Sequence, residues 1–353
     1  MKLNETLISH YTCQAIPVKK LKELVKLKEE YLKEKPTWYM IGGKLKYFKV
    51  RNDFRLFTEQ FFSKFGKLCL GLDTLDYSIG VVRVCSLEDP KDCKKQIGLL
   101  STNFQKKDKN YYLLSEMFDP EVSDLKGYGY SLESVINFLA NTVSNKDYIN
   151  CKDFLVKLFL ADAFTMQLDR NPNNIGFEIQ TIEGVHYLKR LRPEMLKKSG
   201  ACSKKYVVEE NGFTKLVGLM PSKVYDNERI LGVDHKKVFL WNQGDIWTPI
   251  WPYSEDLLFE SQEQARKVQS QVYGGVDPNI TECIANHPEY LNVVEQLATD
   301  DYYKKILEEF TITDNSNKHE ETQIQLKPES AEYFLTLLGE RKKEFQRVLR
   351  FFK

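Results

Sequence analysis

Asp169 and Asn174, five residues apart in Leu-Asp-Arg-Asn-Pro-Asn-Asn-Ile-Gly-Phe (168–177), have the side chains needed to move a proton and to hold a metal ion. An aspartate in such a loop accepts the proton of an attacking hydroxyl, and an asparagine offers a neutral oxygen to a hard cation such as Mg2+. Asp, Asn and Pro also cluster in ordinary turns, so the segment acquires meaning only from its surroundings. A second part is Lys49 in Ile-Gly-Gly-Lys-Leu-Lys-Tyr-Phe-Lys-Val (41–50), which follows a turn at Gly42 and Gly43 where a backbone can approach phosphate closely. Strand alternation puts Lys49 on the face of Leu45 and Tyr47, and Lys46 on the opposite face is its nearest competitor. Glu59 is the only glutamate in 54–70 and is the candidate to hold Lys49 through an ion pair. Downstream, Asp226 in Leu-Met-Pro-Ser-Lys-Val-Tyr-Asp-Asn-Glu (219–228) is the candidate second metal ligand, with Glu194 as its rival. Together these are the parts that phosphoryl transfer demands, since that chemistry asks a protein mainly for positioning and charge stabilisation.

The elements that must position these groups are legible as periodicities. An apolar run with Phe154, Leu155, Leu158, Phe159, Ala163 and Phe164 predicts a helix over 152–167 that presents the loop, and a strand at 175–182 receives it. Phe57, Phe61, Phe62, Phe65, Leu68 and Cys69 predict a lone helix over 54–70 inside an otherwise sheet-rich region, with strands at 45–50, 77–85, 96–104 and 110–118. An amphipathic helix is expected at 18–35. After residue 118 helices dominate, at 132–145, 152–167 and in several segments from 254 to the end, including 328–352. Strand-like pieces at 185–191 and 215–220 interrupt them, and the polar stretch 311–322 reads as a loop before the last helix. The expected class is therefore α+β, with residues 1–118 sheet-rich and 119–353 mostly helical. The strand that ends in Glu116, Met117 and Phe118 lies at the junction of the two.

Composition limits what the chain can bind non-specifically. Lysine plus arginine (51) balance aspartate plus glutamate (50), so no global field draws in nucleic acid or an anionic membrane. Seven scattered cysteines form no metal-ligand spacing and suit reduced thiols. No signal-peptide pattern and no run of about 20 apolar residues is present, which predicts a cytoplasmic protein with no membrane segment.

With Lys49, Glu59, the junction at 116–118, Asp169, Asn174 and Asp226 in this order, residues 38–231 resemble the HipA-like serine/threonine kinases, within the superfamily that includes the phosphoinositide kinases. The resemblance implies a bilobal kinase-like fold, with a sheet-rich N-lobe carrying one embedded helix and a mostly helical C-lobe. It implies ATP and Mg2+ as cofactors and a protein serine or threonine as acceptor. Lys49, with Gly42 and Gly43, would meet the phosphates and Glu59 would pair with Lys49. Glu116, Met117 and Phe118 would form the hinge to adenine, Asp169 would be the catalytic aspartate, and Asn174 and Asp226 would bind magnesium. The sequence departs from the family in several places. Asn171 stands where histidine is frequent, an inserted hairpin around 185–213 separates Asn174 from Asp226, and the amino-terminal domain of HipA toxins has no counterpart, so no toxin role follows. No serine or threonine lies between Ile41 and Val50 to support regulation by phosphorylating that turn. Two other functions fit the same residues, a nucleotide-binding scaffold without turnover and a lipid or small-molecule kinase.

Overall fold

The computed structural model describes residues 37–41, 44–50, 55–85, 93–102, 110–117, 131–179, 207–225, 227, 229–231, 233–234, 237–238, 251–257, 259, 261–311 and 328–353. The expected helix at 18–35, the strand at 185–191 and nearly all of the polar stretch 311–322 lie outside these residues.

Strands β1 (Thr37–Ile41) and β2 (Lys44–Val50) pair antiparallel with Ile41 opposite Lys44. Sequence reasoning started the sheet at Leu45, yet Thr-Trp-Tyr-Met-Ile is rich in the β-branched and aromatic residues that suit a strand. Helix α1 (Arg55–Leu70) follows, then β3 (Tyr77–Cys85) and β4 (Cys93–Thr102), which complete a four-stranded antiparallel sheet in the order β1-β2-β4-β3. This is the predicted embedded helix, and Gly71 at φ +66° ends it in the left-handed conformation that glycine adopts without strain.

The junction differs from its expectation. Strand β5 stops at Leu113 (Asn110–Leu113) instead of running to 118, and a single helical turn, α2 (Leu114–Met117), replaces its second half. The cause is tertiary: the Leu114 amide donates to the Ile175 carbonyl (2.8 Å) and the Ser115 hydroxyl donates to Asn173 Oδ1 (2.7 Å), turning the chain into the 169–174 loop. β5 pairs with β6 (Gly176–Ile179), and β6 with β9 (Leu219–Pro221), so the strand leaving the loop is the centre of a small antiparallel sheet.

Helices α3 (Leu132–Thr142) and α4 (Asn145–Thr165) are separate because Val143 is extended and the Ser144 side chain caps the new helix at Asp147 N. The β7–β8 hairpin (Val207–Glu210, Phe213–Leu216) turns on Asn211 and Gly212, at φ +53° and +80°, a two-residue turn whose twist matches its strands. A two-stranded antiparallel ribbon, Val233–Asp234 with Lys237–Val238, and helices α5 (Gln262–Val272), α6 (Pro278–Asn286), α7 (Leu291–Thr299), α8 (Tyr302–Thr311) and α9 (Pro328–Phe352) follow.

The hydrophobic core runs from α1 into these helices. Phe65 stacks on Phe164 of α4 at 5.1 Å, Phe164 meets Phe345 of α9 edge-on at 5.4 Å, and Phe57 meets Phe310 of α8 at 5.8 Å. Lys64 adds an ion pair to Glu309. Helix α1 is therefore buried around most of its circumference, which is why its lone carboxylate sits inside the protein.

Gly176 carries a packing prediction. A Cβ built there would lie 2.1 Å from the Tyr111 hydroxyl oxygen, and the Tyr111 ring is itself set edge-on against Tyr225. Gly176→Ala is expected to destabilise the fold by about 1–3 kcal/mol through forced displacement of that ring. Denaturant unfolding checks this as a lower midpoint at unchanged slope.

Candidate active site

Lys49, on β2 and only 8 % exposed, donates from Nζ to Glu59 Oε1 at 2.9 Å. Glu59 is fully buried in α1, and its second oxygen, Oε2, accepts the backbone N–H of Asn227 at 2.8 Å. Both carboxylate oxygens thus carry hydrogen bonds, as a buried anion requires. Lys49 is thus joined to the carboxylate that its sequence position led one to expect as its partner.

The loop is shaped by its own side chains. Met166, at φ +54°, ends α4 in the left-handed region, uncommon for a residue with a side chain, and turns the chain out of the helix. Asn171 caps the short 3-10 turn Pro172–Asn174 by accepting from Asn173 N at 2.9 Å. Asn174 closes the loop by donating from Nδ2 to the Asp169 carbonyl at 2.7 Å. That bond fixes the orientation of the amide, and Asn174 Oδ1 has no hydrogen-bond partner among the described residues. The Asp169 carboxylate is about a third exposed (31 %), with Asn171 Nδ2 at 3.2 Å from Oδ1 and Arg229 Nε at 3.5 Å from Oδ2. Asn171 therefore supplies a side-chain donor to Asp169.

Arg170 joins these pieces. It is 2 % exposed and lies over the Phe62 ring of α1. Its Nε and one terminal nitrogen make a two-pronged contact with Asp162 (2.8 and 3.0 Å); that same nitrogen donates to Asn227 Oδ1 at 2.5 Å. The other terminal nitrogen donates to the carbonyls of Asn174 (3.2 Å) and Tyr225 (3.3 Å). Burial pushes the Asp162 carboxyl above its ordinary range, and the Arg170 charge pulls it back down. A continuous path of hydrogen bonds consequently runs Lys49–Glu59–Asn227–Arg170–Asn174–Asp169. Four of the residues singled out from sequence, Lys49, Glu59, Asp169 and Asn174, lie on it.

The remaining candidates are placed less fully. Gly42, Gly43, Phe118, Asp226 and Glu194 lie outside the described residues, although Tyr225 and Asn227, the neighbours of Asp226 in the chain, both touch Arg170. Glu116 and Met117 fall in α2, and Met117 is buried in the core, 5 % exposed. Among the described residues no three His, Cys, Asp or Glu side chains converge as a metal cluster. A neutral amide oxygen such as Asn174 Oδ1 is a donor that a hard cation can take beside waters and phosphate oxygens.

Asp162, Asn227 and Arg229 escaped the sequence reading. Asp162 left a trace, a lone acid within the apolar run Leu-Phe-Leu-Ala-Asp-Ala-Phe of α4, which signals a buried cationic partner. Asn227 and Arg229 left none, since Tyr-Asp-Asn-Glu-Arg reads as an ordinary turn.

No protein-family model matches the chain, and no curated protein matches it in sequence. Among solved structures, it is similar to the Helicobacter pylori proinflammatory kinase CtkA, with a TM-score of 0.51 over 89 % of this chain and 93 % of that one, at 13 % identity. A more distant likeness, to HipA of the Shewanella oneidensis MR-1 toxin–antitoxin system with HipB and operator DNA, has a TM-score of 0.46 and 10 % identity, over 94 % of this chain and 71 % of that one. The observed α+β architecture is thus a kinase-like fold, shared with CtkA over most of both chains.

Proposed function

We propose that this protein is a HipA-like kinase that transfers the γ-phosphate of ATP to serine or threonine hydroxyls of a protein, with Mg2+. The observation that carries this reading is the continuous path of hydrogen bonds, most of them buried, linking the Lys49–Glu59 pair to the Asp169–Asn174 loop. Residues up to 118 act as one lobe and those after it as the other, with ATP between them and α2 at the hinge.

In this reading Lys49, oriented by Glu59, holds the phosphate oxygens, with Gly42 and Gly43 giving the backbone close approach. Glu116, Met117 and Phe118 border the adenine. Asn174 Oδ1 and Asp226 hold the magnesium, which when bound neutralises charge on the phosphates. Asp169 presents its part-exposed carboxylate to the acceptor hydroxyl and takes its proton. A bond forms from the hydroxyl oxygen to the γ-phosphorus, the bond to the β-phosphate oxygen breaks, and ADP leaves with the electron pair.

The test is incubation of the full chain with γ-labelled ATP and Mg2+, alone, with a cell lysate and with phosphoinositide vesicles. Label is expected on serine or threonine of protein and should vanish when a chelator removes the metal. Label confined to vesicles would make the protein a lipid kinase. Stabilisation by ATP with no label anywhere would make it a nucleotide-binding scaffold.

A further inference from the structure

The contacts of Asn227 exceed what a turn residue requires. It is fully buried, and two of its groups reach opposite sides of the site. Its backbone N–H donates to Glu59 Oε2, while Lys49 donates to Oε1, and its side-chain Oδ1 accepts from Arg170. Arg170 in turn holds the carbonyl of Asn174, whose side chain closes the loop on Asp169. A parallel bridge between Thr74 and Val224 and an ion pair between Lys223 and Asp73 fasten the approach to Asn227 onto the segment that follows α1. The loop and the lysine strand are far apart in sequence, and Asn227 is the residue at which their hydrogen bonds meet.

We propose that Asn227 is a positioning residue that fixes the 169–174 loop relative to the Lys49–Glu59 pair. The proposal rests on the kinase reading for its effect on catalysis, but its structural half stands independently. Phosphoryl transfer depends on the acceptor-side aspartate and the phosphate-side lysine keeping one mutual geometry. A misplacement of about 1 Å costs on the order of a hundredfold in rate. A side-chain substitution at Asn227 leaves the backbone N–H to Glu59 in place and removes only the link to Arg170. The loop then loses this hydrogen-bonded link to the Lys49–Glu59 pair and keeps the Arg170 contact over Phe62, while nucleotide contacts remain.

The experiment compares Asn227→Ala and Asn227→Asp with the wild-type full chain by Mg-ATP phosphotransfer kinetics and by backbone hydrogen exchange. Asn227→Ala is expected to lower kcat on the order of 10- to 100-fold with KM for ATP within about twofold. Amide exchange should rise both in 168–176 and in 55–62. Asn227→Asp, which keeps an oxygen toward Arg170, should recover most of kcat and of the protection. Exchange confined to 225–231, or kcat within threefold of wild type, overturns the proposal, as does an Asn227→Asp variant no better than Asn227→Ala. If the wild-type chain transfers no phosphate, the kinase reading fails and hydrogen exchange alone decides whether Asn227 joins the two elements.

Discussion

Asp169→Asn is expected to reduce phosphotransfer about a thousandfold while leaving the fold and nucleotide affinity nearly untouched. Removing a general base typically costs between about 10^2 and 10^4 in rate. The isosteric amide cannot take the acceptor's proton. The loop should survive, because the bond that closes it runs from Asn174 Nδ2 to the backbone carbonyl of residue 169 and does not involve the carboxylate. The substituted side chain also keeps an oxygen for Asn171 Nδ2. Among the described residues, the ion pair lost is the one to Arg229 at 3.5 Å between side chains 22 % and 31 % exposed, worth about 0–1 kcal/mol in so wet a setting. The Lys49–Glu59 pair lies elsewhere on the path and is unaffected, so KM for ATP should stay within about twofold. Initial rates with labelled ATP, set beside thermal melts with and without Mg-ATP, check both halves. Transfer by Asp169→Asn at more than a tenth of the wild-type rate would exclude Asp169 as the proton acceptor.

The parts of this site that were legible in the sequence are those fixed by local pattern. The phenylalanine spacing of α1 predicted a helix, and because that helix holds a single glutamate, the candidate partner of Lys49 was chosen by elimination. The apolar run before Asp169 likewise predicted the helix that presents the loop. Groups defined by long-range hydrogen bonds were not legible. Leu114–Met117 continues a strand pattern, and only contacts to Ile175 and Asn173 turn it into helix. Nothing local distinguishes Asn227 from any other turn asparagine, because its partners Glu59 and Arg170 lie 168 and 57 residues away. The polar partners of Arg170 come together only once α4 and the chain at Tyr225 and Asn227 are brought around it.

Arg170→Met carries the largest expected effect on stability. Methionine matches the length of the arginine stem and keeps most of its volume, so the substitution removes the charge, its hydrogen bonds and the guanidinium contact over the Phe62 ring. It leaves Asp162, 4 % exposed, in the core without the guanidinium that met both of its oxygens. Breaking a buried pair from one side typically costs about 3–5 kcal/mol, a large fraction of the roughly 5–15 kcal/mol that holds a domain together. The loss should depend on pH with a definite sign. Burial already raises the Asp162 carboxyl, and Arg170 is the group that opposes the rise, so in the variant the folded state keeps a proton that the unfolded carboxylate releases above about 3.9. A folded state that binds more protons loses stability as pH rises. The deficit of Arg170→Met relative to wild type should therefore narrow as pH falls from 7 toward 4, and urea unfolding across that range measures it. Adding Asp162→Asn should restore part of the stability by removing the buried charge, yet it should not restore phosphotransfer. The carbonyls of Asn174 and Tyr225 and the side chain of Asn227 would still lack the donor that aligns them. A double variant that regains both stability and activity would mean that Arg170 serves only to neutralise Asp162.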